Sequence, residues 1–174
     1  EPVRITARAY DPDGIASFMI RWRNDTTGGG YNTVPLVDNG GFGDAVANDG
    51  IYTGTIPGQL GSRNIAFYLE AIDSLGNTNL FPQDVFPKPG YDRVFPTDAS
   101  TRELLIRWGE PMIPGSFGNY RVWLTQANRD RWANRRPTLN NAVLDGTFVY
   151  NNYRVIYNMK PQFAGSPWHR GQQD

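Results

Sequence analysis

A chain of 174 residues with 17 basic and 17 acidic side chains and 39% apolar residues holds one good-sized domain, or a small domain with part of another. Residues 1–82 carry five Lys+Arg against nine Asp+Glu and residues 83–174 twelve against eight, which fits two modules and is too mild for nucleic-acid binding. The absence of cysteine removes a disulfide framework and a Cys-based zinc site, and no apolar run approaches the ~18 residues of a membrane span.

Helix formers are sparse while 19 glycines and 13 prolines favour short strands and tight turns, so the expected fold is mainly β. The chain opens at Glu1 without a signal-peptide pattern, and an N-terminal portion is expected to precede it. Val3, Ile5, Ala7 and Ala9 alternate with polar neighbours, the period of a half-buried strand. Asp11-Pro12-Asp13-Gly14 is a turn, and Ala16, Phe18, Ile20 and Trp22 then share one face of a second strand. A flexible loop over 26–30 leads to a third strand over 31–37, where Pro35 points to a sheet edge. Further strands are expected over 51–56, 64–72 and 78–81, the last after the turn Asp73-Ser74-Leu75-Gly76-Asn77. Short strands with regular turn signals describe an antiparallel sandwich.

Residues 82–100 contain four prolines and little periodicity, as a stiff linker does. A strand is expected over 102–108, a Gly/Pro loop over 109–118 and a strand over 120–124. Thr125 is placed to cap a helix running to about Arg136, which Pro137 ends. Residues 147–150 and 153–159 pair as a hairpin across Asn151-Asn152. The domains expected are thus 1–82, a linker over 83–101, and an incomplete α+β segment over 102–174.

Between the third and fourth strands, VDNGGFGDAVANDG sets Asp38, Asn39, Asp44, Asn48 and Asp49 on a Gly-rich loop. Oxygen ligands so arranged suit calcium, although the spacing is not that of an EF-hand, and Asp or Asn before Gly is also ordinary turn chemistry. His169 is the sole histidine, which argues against a His metal site or a Ser-His-Asp triad. Arg129, Arg131, Arg135 and Arg136 form a basic helix surface that either meets an acidic partner or is simply solvated. Trp132 and Trp168 are candidates for sugar stacking or for packing, whereas Trp22 belongs to a core stripe. Gly165-Ser166, directly after the hairpin, is the type of loop whose backbone N–H groups cradle phosphate.

The segments DPDGIAS, GDAVANDGIYT and FYLEAIDSLGN resemble the immunoglobulin-like and fibronectin-type-III-like modules of bacterial surface and secreted proteins. That likeness covers about residues 1–82 and speaks to fold more than to function. From Tyr120 on, YRVWLTQANRDRWANR, LNNAVLDGTFVYNN and YRVIYNMKPQFAGSPW resemble the opening of the CotH-type kinase family of atypical secreted kinases. In that family the hairpin leads into a Gly-Ser loop, often RGNSS, which Gly165 and Ser166 match; Phe163-Ala164-Gly165 stands in place of the Arg-Gly-Asn part. The family's ATP-gripping, metal-binding and catalytic residues fall beyond Asp174, so the resemblance implies no catalytic residue in this chain. ATP and a divalent metal would belong to a longer parent.

The reading that follows is a non-catalytic piece of a large secreted or cell-surface bacterial protein, a sandwich spacer or adhesion module leading into a CotH-like domain. Its partners would be proteins or the rest of the parent chain. The alternatives are an assembly subunit of an extracellular multimer, pairing as a homo-oligomer through the unpaired edges of its terminal hairpin, and a carbohydrate-binding accessory module.

Overall fold

The protein is described by a computed structural model over residues 1–82, 103–111, 113–115, 118–133, 144, 146–151 and 153–161, excluding the side chains of 131 and 132. Among these residues it is mainly β, with antiparallel strand pairing and one short helix. The chain divides into two compact units, Glu1–Gln83 with Ile106–Glu110, and Asp84–Leu105 with Pro111–Asp174.

In the first unit, β1 (Val3–Arg8) pairs with β4 (Ile51–Ile56), placing Val3 opposite Ile56 and Ala7 opposite Tyr52. A second sheet runs β3 (Asn32–Pro35), β2 (Ile15–Asn24), β5 (Asn64–Asp73), β6 (Thr78–Phe81). Pro35 lies on the edge strand β3, where its missing N–H disrupts no ladder. The core gathers Ile5, Phe18, Ile20, Leu36, Ile56, Ile65, Phe67 and Leu69, all buried. Phe18 of β2 meets Tyr52 of β4 edge-on at 5.3 Å. A Cβ on Gly54 would lie 2.7 Å from the Pro35 carbonyl oxygen and 3.0 Å from Ile20 Cδ1, so only glycine permits this approach of backbone and core. Ala16 is exposed although it alternates with Phe18 and Ile20. The ladder to β5 shifts between Ile15 and Ser17, and such a bulge breaks the period-2 pattern at the strand's start.

Strand β7 (Leu104–Arg107) pairs with β5. Just beyond it, Trp108 N donates to Arg63 O at 3.0 Å and Ser62 N to Trp108 O at 2.8 Å. Arg107 Nη1 donates to Asn64 Oδ1 at 3.0 Å, and the Trp108 indole donates to the Glu1 carbonyl at 2.8 Å.

In the second unit, β8 (Tyr120–Leu124), β9 (Gly146–Tyr150) and β10 (Arg154–Met159) form a three-stranded antiparallel sheet with β9 central. Asn151, at the turn between β9 and β10, takes φ 50°, as Asn tolerates. Helix α1 (Gln126–Ala133) follows β8 directly. Thr125 Oγ1 accepts from Asn128 N at 3.2 Å, the N-cap expected from its sequence position. The buried set includes Leu104, Leu105, Leu124, Leu144 and Val149, with the Thr147 hydroxyl accepting from Leu105 N at 3.1 Å.

Candidate functional site: an acidic loop between β3 and β4

The loop over 37–50 is anchored at both ends by backbone pairing. Val37 and Thr53 exchange bonds of 3.0 and 2.8 Å, and Ala9 N donates to Gly50 O at 3.1 Å. Within it, residues with positive φ follow one another: Gly40 at 70°, Phe42 at 53°, Gly43 at 95°, Asn48 at 61° and Gly50 at 80°. These left-handed steps fold the loop back on itself, with Asp44 buried, Asp38 half-buried and Asp49 exposed.

One carboxylate oxygen each from Asp38, Asp44 and Asp49 lies within 4.8 Å of the other two. The backbone holds each carboxylate in place. Asp38 accepts from Asp49 N at 3.2 Å and from Gly50 N at 2.9 Å; Asp44 accepts from Gly40 N at 2.7 Å; Asp49 accepts from Ile51 N at 2.9 Å. Asp44 is only 7% exposed. Among the described residues no ion pair joins these three acids to a basic side chain. The guanidinium of Arg4 lies against the loop at Gly43, where an added Cβ would meet Arg4 Nε at 3.0 Å. Tyr52, next to this loop, has its hydroxyl pushed up from the ordinary value, first by burial and then by the charge of Asp38.

Ligand oxygens lie 2.3–2.6 Å from a calcium ion, so oxygens across one ion stand at most about 5 Å apart. Carboxylate oxygens no more than 4.8 Å apart therefore fit around a single ion. Three like charges at this distance repel, and a divalent cation between them reverses that balance. Asn39 and Asn48 belong to the same loop, and the Asn39 side-chain oxygen accepts from Gly41 N at 2.9 Å.

No family model matches the chain, and a search of curated proteins returns no relative.

Of the other candidates, Arg129 is exposed on α1, where its guanidinium bonds Gln126 Oε1. Trp132 lies on α1 with its side chain outside the described set, and Arg136, Gly165, Ser166, Trp168 and His169 lie outside the described residues altogether. Trp22 is partly buried, and its indole nitrogen is enclosed with no hydrogen-bond partner among the described residues. A group of rings not singled out from the sequence lies on the β8–β9–β10 sheet. Tyr120 lies 5.1 Å from Tyr150 and 6.2 Å from Phe148, and Tyr150 lies 5.7 Å from Tyr153. Tyr120, Phe148 and Tyr150 share a face because Tyr120 pairs with Tyr150 and Val122 with Phe148. The signal was present in the alternation of Phe148 and Tyr150 across Val149, whose own side chain is buried. No helix among the described residues is long and apolar enough to cross a membrane.

Proposed function

We propose that the first unit is a calcium-stiffened sandwich module, a spacer or adhesion element of a secreted or cell-surface bacterial protein. The observation that carries this is the convergence of Asp38, Asp44 and Asp49 within 4.8 Å. Asp38 accepts from the Asp49 and Gly50 amides just before β4 and Asp49 from the Ile51 amide that opens it, so an ion held here would tie the loop to a sheet strand. Calcium sites of extracellular modules bind at about 10⁻⁴–10⁻³ M, matching a site built from three acids on one loop. Remaining ligands would come from side-chain amides, backbone carbonyls and water.

The test is calorimetric titration of calcium into chelator-treated protein, with thermal unfolding measured in parallel. Saturable binding of one ion is expected. At a hundred times the dissociation constant the stabilisation is about 2.7 kcal/mol, readily seen as a rise in Tm. Asp44→Asn should lose both the heat and the Tm response. No binding heat and no shift at calcium up to about 0.1 M, a hundred times the weaker of these dissociation constants, overturns the reading.

For the second unit the reading is the opening of a CotH-like domain, supported by the order β8, α1, β9, β10 and by the sequence likeness from Tyr120 on. ATP and a divalent metal would then be held by a longer parent, and this chain incubated with ATP and magnesium should transfer no phosphate to itself or to a general protein substrate.

A further inference from the structure

The acidic loop also contains Asn39-Gly40, the sole Asn-Gly pair in the sequence. We infer that Asn39 is a site of self-modification. The Gly40 backbone nitrogen attacks the Asn39 side-chain amide carbon, closing a succinimide that water opens to aspartate or isoaspartate. The new bond joins Gly40 N to Asn39 Cγ, and the bond that breaks joins Cγ to Nδ2. Nδ2 leaves as ammonia, taking up the proton that Gly40 N surrenders. Solvent water then hydrolyses either ring carbonyl, so the net change is amide hydrolysis with no oxidant or reductant.

Three placements favour the step. Gly40 has no side chain to obstruct the ring closure, and both Asn39 and Gly40 are exposed to the water that completes it. Asp44 Oδ2 accepts the Gly40 N–H at 2.7 Å, within the reach required of a general base for the proton that must leave. The Gly41 N–H donates to Asn39 Oδ1 at 2.9 Å. That oxygen takes negative charge when Cγ becomes tetrahedral, and a fixed donor already faces it. Asn48, in the same loop, is followed by Asp49, whose side chain stands where Gly40 has none. The aspartate product would add a fourth carboxylate to the loop. The isoaspartate product would lengthen its backbone beside Asp38.

The inference is independent of calcium, so the test is run in chelator. Native protein and protein unfolded in guanidinium are incubated at neutral pH, and Asn39 and Asn48 are followed by peptide mass spectrometry with isoaspartate-specific methylation. Asn39 should convert about tenfold faster in the folded protein, below the ~100-fold typical of a dedicated general base because a backbone amide is a very weak acid. Asn48 should stay intact. Asp44→Asn should bring the folded rate down to that of the unfolded chain. A folded rate equal to or slower than the unfolded one overturns the inference, as does an unchanged rate in folded Asp44→Asn. Should that variant fail to fold, the comparison of folded and unfolded native sequence decides alone.

Discussion

Asp73 closes the turn from β5 to β6 with one carboxylate. Oδ1 accepts from Leu75 N at 2.9 Å and Asn77 N at 2.8 Å, and Oδ2 accepts from Asn77 Nδ2 at 2.7 Å. The Asn77 side chain is the leading reason that the Asp73 carboxyl is held below its ordinary value, with the turn's backbone amides adding to it. A depressed folded pKa means that the carboxylate's stabilising contribution is fully present above the unfolded value of about 3.9. It is lost as pH falls through the lower folded value. Asp73→Ala should therefore be less stable than the native sequence at neutral pH, and denaturant titrations should show the gap closing as pH drops below about 4. A gap that persists unchanged in acid would assign the turn's stability to something other than this carboxylate. This turn was legible from Asp73 through Asn77, because each residue type has a local reason to be there. The acids of the 37–50 loop were legible on the same grounds. What the sequence hid was contact at long range: nothing in the spacing announces that Arg4 comes to rest against Gly43.

Among the elements, strands were easier to read than the faces they present. The bounds of β4, β6 and β8 coincide with the strands expected over 51–56, 78–81 and 120–124, whereas Ala16, which the sequence places on one face with Phe18 and Ile20, is exposed where the ladder shifts between Ile15 and Ser17. A bulge costs one residue of register and leaves no mark in composition. Helix α1 is eight residues long with no acidic residue in its first turn, too short to persist alone in water. Its N-terminus depends on Thr125, whose hydroxyl accepts from Asn128 N at 3.2 Å. Thr125→Ala should cost about 1 kcal/mol in chemical denaturation and should raise hydrogen exchange at Asn128 first. An equal rise along the whole sheet would mean that the cap is not a local device.

For the molecule as a whole, the first unit recruits Ile106–Glu110 from beyond residues 84–105. The short apolar run Leu104-Leu105-Ile106 with Trp108 announces a strand but cannot name its partner, since strands of either unit offer equivalent backbone donors. The partner is fixed by bonds between Trp108 and the backbone of Ser62 and Arg63, by Arg107 to Asn64, and by the Trp108 indole to Glu1. Gly109, at φ 67°, brings its backbone so close to Gly61 that a Cβ would lie 2.8 Å from the Gly61 Cα. Trp108 itself is 7% exposed, and removing a buried tryptophan side chain costs about 3–5 kcal/mol. That is a large share of the ~5–15 kcal/mol that holds a domain together. A chain ending at Gln83 should accordingly unfold at markedly lower denaturant than one ending at Glu110, although residues 1–82 hold all of β1 to β6. Trp108→Ala in the full chain should reproduce most of that loss. Equal midpoints for the two shortened chains would show that β1 to β6 suffice, leaving the returning segment as an attachment rather than a part of the first unit's core.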